Sequence, residues 1–259
     1  MTSEVVSSAS SEVDRAYSDH SLAELYDLLN PWGPSDEFYL GLTMSAASVL
    51  DVGCGTGALL RRARESGHHG RLCGLDPAAA MLDVGRARAD IEWVQGDLAS
   101  CSLPGRFDLV VMTGHAFQVL LTDDDIEAAL AAMRSCLVPE GRVVFEIRNP
   151  LTRPWESWTP AHAVEAVTAS GSTVRVEHQV AEPVEGDVVR FSETFTSSDW
   201  GTPKVSRTSL RFCGVERLAA LLAAAGLDVV HQFGDWNSRP LTDDSPEIIT
   251  IAAPAPITS

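Results

Sequence analysis

The chain has 259 residues, with 19 Lys and Arg against 36 Asp and Glu and a formal charge of −17. Nucleic acids and anionic membrane surfaces select for cations that neutralise phosphates, so neither is an expected partner. Five cysteines without a C-x-x-C pair give neither a disulfide framework nor a thiolate metal pattern, and the Ser-rich, acidic start has no signal-peptide character.

These features predict a cytoplasmic protein with no metal site, a neutral, cationic or small partner, and no bar to a homodimer. Residues 1–12, rich in Ser and Glu, read as a disordered tail. Leu22, Leu25, Leu28 and Leu29 mark one face of a short helix that Asn30-Pro31 stops. With Trp32, Phe38 and Tyr39 beyond it, 13–47 is expected to form a helical lid.

From residue 48 the pattern alternates. Strands are expected over 49–52, 72–75, 91–94, 109–112 and 143–147, and helices over 58–65, 77–87 and 123–137, the last N-capped by Thr122. His68 and His69, in a Gly-flanked turn, are expected to be solvated. This alternation predicts an α/β fold with a doubly wound, mostly parallel sheet that binds ligands at the carboxyl ends of its strands. After Pro150 the period changes to two, over 173–180, 188–196 and 204–212, so 151–212 reads as an antiparallel β insertion. A helix over 215–225 and closing strands over 227–233 and 247–251 complete a Rossmann-like domain made of 48–150 and 213–259.

Asp51-Val52-Gly53-Cys54-Gly55-Thr56-Gly57 runs from strand through a glycine loop into a helix. The G-x-G-x-G spacing differs from the dinucleotide G-x-G-x-x-G, and the Lys-Ser/Thr of a phosphate loop is missing. Asp51 at that loop favours a ligand amine or hydroxyl over a pyrophosphate. Asp76, at the end of the next strand, suits the two hydroxyls of a ribose; with Pro77 it also reads as a helix N-cap and N1 pair. Gly96-Asp97-Leu98 puts a third acid on the same sheet edge, suited to a purine amine.

In this order the residues resemble the motifs of the class I S-adenosylmethionine (SAM) dependent methyltransferases of the small-molecule type. The resemblance implies a seven-stranded sheet and SAM as cofactor, with S-adenosylhomocysteine (SAH) as product. It implies that Asp51, Gly53, Gly55 and Gly57 hold the methionine part, Asp76 the ribose, and Met81, Asp97 and Leu98 the adenine, with Cys54, Pro77, Gly96 and Thr113 also expected at the cofactor. Phe107 to Val111 followed by Thr113 is similar to the family's fourth motif, and Leu137-Val138-Pro139-Glu140-Gly141 to its turn before strand five, with Glu140 where a glycine is usual. Tyr26 is expected to touch the cofactor or to pack the lid.

The implied reaction is methyl transfer to a small-molecule acceptor, driven by positioning and desolvation, with N-methylation slightly preferred over O-methylation and a peptide N-terminus also compatible. His115, after the fourth strand, is a candidate base or a loop-ordering residue. Arg148 reads as a carboxylate-binding residue or a loop ion pair. Trp32 and Trp236 are candidate substrate contacts, Trp236 alternatively a cover for the core. The competing reading is a SAM- or SAH-binding protein without methyl transfer, acting as a cyclase, scaffold or sensor.

Overall fold

The computed structural model describes residues 13–101, 103, 107–184 and 186–256; the expected tail, 1–12, lies outside them. In chain order the elements are α1 (Arg15–Ser18), α2 (His20–Ala23), α3 (Tyr26–Leu29), α4 (Pro34–Ser45), β1 (Ser48–Val52), α5 (Ala58–Glu65), β2 (Arg71–Asp76), α6 (Ala79–Gly85), β3 (Glu92–Gln95) and β4 (Phe107–Met112). Then come α7 (Asp123–Ser135), β5 (Leu137–Arg148), β6 (Val164–Val167), β7 (Thr173–Val180), β8 (Val188–Ser197), β9 (Lys204–Arg211), α8 (Val215–Ala224), β10 (Leu227–Phe233) and β11 (Glu247–Pro254).

The larger sheet has the order β10-β11-β5-β4-β1-β2-β3. Strands β1 to β5 are parallel, and β11 and β10 close the sheet antiparallel beside β5. Central strands buried on both faces read as near-continuous apolar runs, and Val49, Leu50, Val110, Val111, Val143 and Val144 are all fully buried. One face packs under α7 and α8, around Leu130, Met133, Leu218 and Leu222; the other packs under α4 and α5, around Tyr39, Leu59 and Leu60. Helix α7 starts at a reciprocal capping box, in which Thr122 Oγ1 accepts from Asp125 N at 3.1 Å and Asp125 Oδ2 accepts from Thr122 N at 3.0 Å.

Several expectations need correction. The N-terminal leucines do not share one helix: the segment breaks into three single turns, with Leu22 buried and Leu28 exposed. Helix α4 packs with α5 against the large sheet, whereas the turns α1 to α3 pack against the second sheet and α6. The turn before strand five is absorbed into β5, where the pairing with β4 jumps from Phe107↔Leu137 to Leu109↔Arg142. His68 is buried, with Nε2 2.8 Å from the Ala46 carbonyl, because its turn folds back onto the chain leading into β1.

The second sheet has four strands, in the order β6-β7-β8-β9, all antiparallel. Strand β6 was not expected: only four residues long and mostly exposed, it carries little hydrophobic pattern. One face of this sheet is apolar through Val174, Val176, Val189, Phe191 and Phe195. It meets the N-terminal segment, where Ala16 N donates to Ser206 Oγ at 2.9 Å and Thr208 Oγ1 donates to Asp14 Oδ2 at 2.7 Å. Among the described residues, no helix is long and apolar enough to cross a membrane.

Candidate active site

The strand order reverses direction between β1 and β4, and an open parallel sheet forms its ligand crevice at that point, beyond the carboxyl ends of the strands. The glycine loop after β1 is tied to β2, with Gly53 N and Cys54 N donating to the Leu75 carbonyl at 2.7 and 3.1 Å. Gly55 sits in the left-handed region at φ +56°, and a Cβ there would come within 3.1 Å of Met81 Cε. A side chain at this position would press into the thioether that faces the loop.

Three acids stand at successive strand ends, in three different states. Asp51 is 1% exposed, and among the described residues its Oδ1 has no hydrogen-bond partner. Burial, with the charges of Asp76 and Glu146 adding, pushes its acid well above the carboxylate range. Asp76 is engaged on both oxygens: Oδ2 accepts from Gly55 N and Oδ1 from Ala78 N, each at 2.8 Å. It is not the helix N-cap that its pairing with Pro77 suggested, because Ala78 stays extended (φ −83°, ψ 103°) and α6 begins at Ala79; Pro77 is exposed. Asp97 turns its carboxylate onto its own loop, where Oδ1 accepts from Ala99 N at 3.1 Å and Ser100 N at 2.7 Å, while Leu98 packs against the core. Hydrogen bonding with Ser100 holds Asp97 below its ordinary value, against partial burial.

The N-terminal turns cover this edge. Tyr26 packs with Ala78 and Met81 and edge-on to Tyr17, and a Cβ on Gly114 would lie 3.8 Å from its hydroxyl. Burial, then the charges of Asp27 and Asp76, push the Tyr26 phenol up to about 12. The turn is latched by Asp27, whose carboxylate accepts from Thr56 Oγ1 and from Arg61 Nη2, both at 2.5 Å.

Beyond β4, Thr113 and Gly114 lead to His115, which holds a left-handed backbone (φ 61°, ψ 19°). Its N–H donates to Glu146 Oε1 at 2.8 Å, and the other oxygen of Glu146 accepts from the Tyr39 hydroxyl. His115 Nε2 lies 3.0 and 3.1 Å from the two oxygens of Glu247. Glu146 is 0% exposed, and burial raises its acid despite the neighbouring His115. Next to Glu247 in register is Arg148, whose Nη1 donates to Gln118 Oε1 at 3.0 Å and whose guanidinium lies 5.3 Å over the Trp158 ring. Among the described residues no carboxylate lies within ion-pair distance of Arg148, so the expected loop ion pair is not formed.

The structure thus places Tyr26, Asp51, the glycine loop, Asp76, Met81, Asp97, Thr113, His115 and Arg148 along one edge. Trp32 lies outside that group: its Nε1 donates to Glu37 Oε1 at 2.6 Å and Arg62 stacks on its ring at 5.0 Å. Trp236 packs against Phe38 and Tyr39 at 5.8 and 6.0 Å. Glu247 is the functional candidate that motif reading did not find. The antiparallel pairing of β11 with β5 delivers it to His115 across 132 residues, a distance over which no spacing rule operates.

Residues 49–141 match a family model described as a methyltransferase domain. Over 238 residues the chain is 34% identical to the dTDP-3-amino-3,6-dideoxy-alpha-D-glucopyranose N,N-dimethyltransferase of Streptomyces fradiae, covering 85% of this chain and 89% of that protein. It is 27% identical over 256 residues to a cypemycin N-terminal methyltransferase of Streptomyces, covering 92% and 98%. Among solved structures, a SAM-bound amino pentose methyltransferase from Micromonospora echinaspora superposes with a TM-score of 0.65 at 26% identity, covering 90% of this chain and 96% of that one.

Proposed function

This chain belongs to the class I SAM-dependent methyltransferases of the small-molecule type, and on that premise we propose that it methylates an amine nitrogen of a small acceptor of the amino-sugar kind. The observation that carries this reading is the carboxylate surround of His115, with Glu146 on its backbone and Glu247 on its ring. An amine arrives mostly as ammonium near neutral pH; carboxylates attract that cation, and a histidine can take the proton that blocks its lone pair. The relatives named for amino-sugar substrates support the same choice.

The cofactor is SAM, which when bound supplies an electrophilic methyl group on a positively charged sulfur. The residues present fit it. Asp51 offers a buried acceptor oxygen with no other partner, suited to an amino group. Each oxygen of Asp76 accepts one backbone N–H and keeps a lone pair for a ribose hydroxyl. Met81 and Leu98 supply apolar surface for a purine, with Gly96 and Asp97 at its polar edge. The turns α1 to α3, latched through Asp27, would exclude water from this end, while the second sheet would cover the acceptor with Arg148 and Trp158 at its border. No step needs a side-chain nucleophile: orientation supplies most of the acceleration, and effective molarities of about 10⁵ M or more are typical of such alignment.

The test is incubation with isotope-labelled SAM and a panel of amino sugars, each paired with its hydroxyl counterpart, read by mass spectrometry. Label on the amines and not on the counterparts supports the reading; label on hydroxyls alone overturns it. A second reading, methylation of a peptide α-amine, is supported by the cypemycin relative, which aligns over nearly all of this chain, and a peptide arm in the panel decides between them.

A further inference from the structure

We propose that Glu247 is a positioning residue that fixes the tautomer of His115, leaving Nδ1 as the atom that takes the acceptor's proton; this rests on the amine-methylation reading above. A neutral imidazole has one N–H and one lone pair, and the hydrogen bond at one nitrogen decides the role of the other. Both oxygens of Glu247 bracket Nε2, at 3.0 and 3.1 Å, and an ionised carboxylate only accepts, so the proton belongs on Nε2. No hydrogen bond to Nδ1 is formed by the described residues. The pair is partly exposed, 20% for His115 and 13% for Glu247, and the ring nitrogen that Glu247 does not engage is Nδ1.

The backbone is held as firmly as the ring. A non-glycine residue at φ 61° occupies a sparsely populated region, and such a conformation persists only where its surroundings impose it. Here Glu146 takes the His115 N–H and is itself held by the Tyr39 hydroxyl. Among the described residues, the charged and titratable groups about His115 and its loop include Glu247 on β11, Glu146 and Arg148 on β5, Tyr39 on α4, and Tyr26 on α3, whose hydroxyl lies beside Gly114. In the proton step, one N–H bond of the acceptor ammonium breaks, an Nδ1–H bond forms, and the electron pair stays on the acceptor nitrogen. The imidazolium keeps its Nε2–H toward Glu247, and the Nδ1 proton passes to water after turnover.

The test pairs nitrogen-15 NMR of the histidines in the SAH-bound protein with kinetics of Glu247→Gln and His115→Ala. The wild type is expected to show His115 as the Nε2–H tautomer. Glu247→Gln is expected to lower kcat at least tenfold while SAH affinity stays within about threefold, and to move the acid limb of the pH–rate profile to lower pH, because the charge that stabilises the imidazolium is gone. An Nδ1–H tautomer in the wild type overturns the proposal whatever the variants do. So does a Glu247→Gln enzyme with wild-type kcat and pH profile beside a slow His115→Ala, an outcome that leaves the base intact. An unchanged rate in His115→Ala removes the base itself, and absence of any amine turnover refutes the underlying reading, with the NMR result still deciding the tautomer.

Discussion

The carboxylate of Asp76 accepts the backbone N–H of Gly55 at 2.8 Å, so the acid at the end of β2 shapes the glycine loop at the end of β1. Its other oxygen takes Ala78 N at the same distance, and the two bonds lock loop, strand and helix start to one another. Asp76→Ala is therefore expected to weaken SAH binding about 10- to 100-fold and also to lower stability by roughly 1–3 kcal/mol, the cost of stranding one buried and one partly buried N–H donor. Titration calorimetry and urea unfolding measure the two effects. Weaker binding at unchanged stability would mean that the loop holds its shape without Asp76.

With Asp51 facing the cofactor as proposed, cofactor binding is expected to be coupled to protons. Its acid is raised above the ordinary 3.8 by burial first and then by Asp76 and Glu146. The folded protein thus holds a proton that the unfolded chain has released, so this group's contribution to stability falls as pH rises from about 3.8 toward the folded value. A cofactor amino group favours the ionised form, so SAM binding in that window is expected to release protons and to tighten as pH rises. Calorimetry in buffers of different ionisation enthalpy reads this release, and Asp51→Asn is expected to abolish it.

Gly57 and Gly67 both occupy the left-handed region, at φ +71° and +90°, but only Gly57 is crowded. A Cβ on Gly57 would fall 2.2 Å from Trp93 Cη2, whereas one on Gly67 meets nothing within 4 Å. Gly67→Ala should cost about 1 kcal/mol of backbone strain. Gly57→Ala should cost well over that, because the indole must move, and Trp93 fluorescence should change with it.

Tyr39→Phe removes the hydroxyl that donates to the fully buried Glu146. The lost bond to a buried carboxylate should lower stability by about 1–3 kcal/mol, seen in denaturant unfolding. Because Glu146 also holds the His115 N–H, kcat is expected to fall with it while SAH affinity stays unchanged.

The parts of this protein legible in its sequence are those written locally. A strand of Val and Leu buried on both faces, a glycine loop, and an acid at each of three strand ends are short-range patterns; they predict the sheet and the strand-end edge at which we propose that the cofactor binds. The failures have physical causes too. The N-terminal leucines share a helical spacing, but tertiary contacts with the second sheet and α6 break the segment into single turns. Val164–Val167 pairs with β7 as a mostly exposed edge whose side chains show no alternation of burial. The Tyr39–Glu146–His115–Glu247 chain joins residues from α4, β5, a loop and β11, and only the antiparallel closure of the sheet brings its ends together.

The most direct measurement of the central claim is carbon-13 NMR of the product made from methyl-labelled SAM and an amino sugar that carries both a free amine and free hydroxyls. A carboxylate-lined acceptor end with a base at His115 predicts a single set of N-methyl signals. O-methyl signals, or no transfer to any amine while SAM is bound, would contradict it.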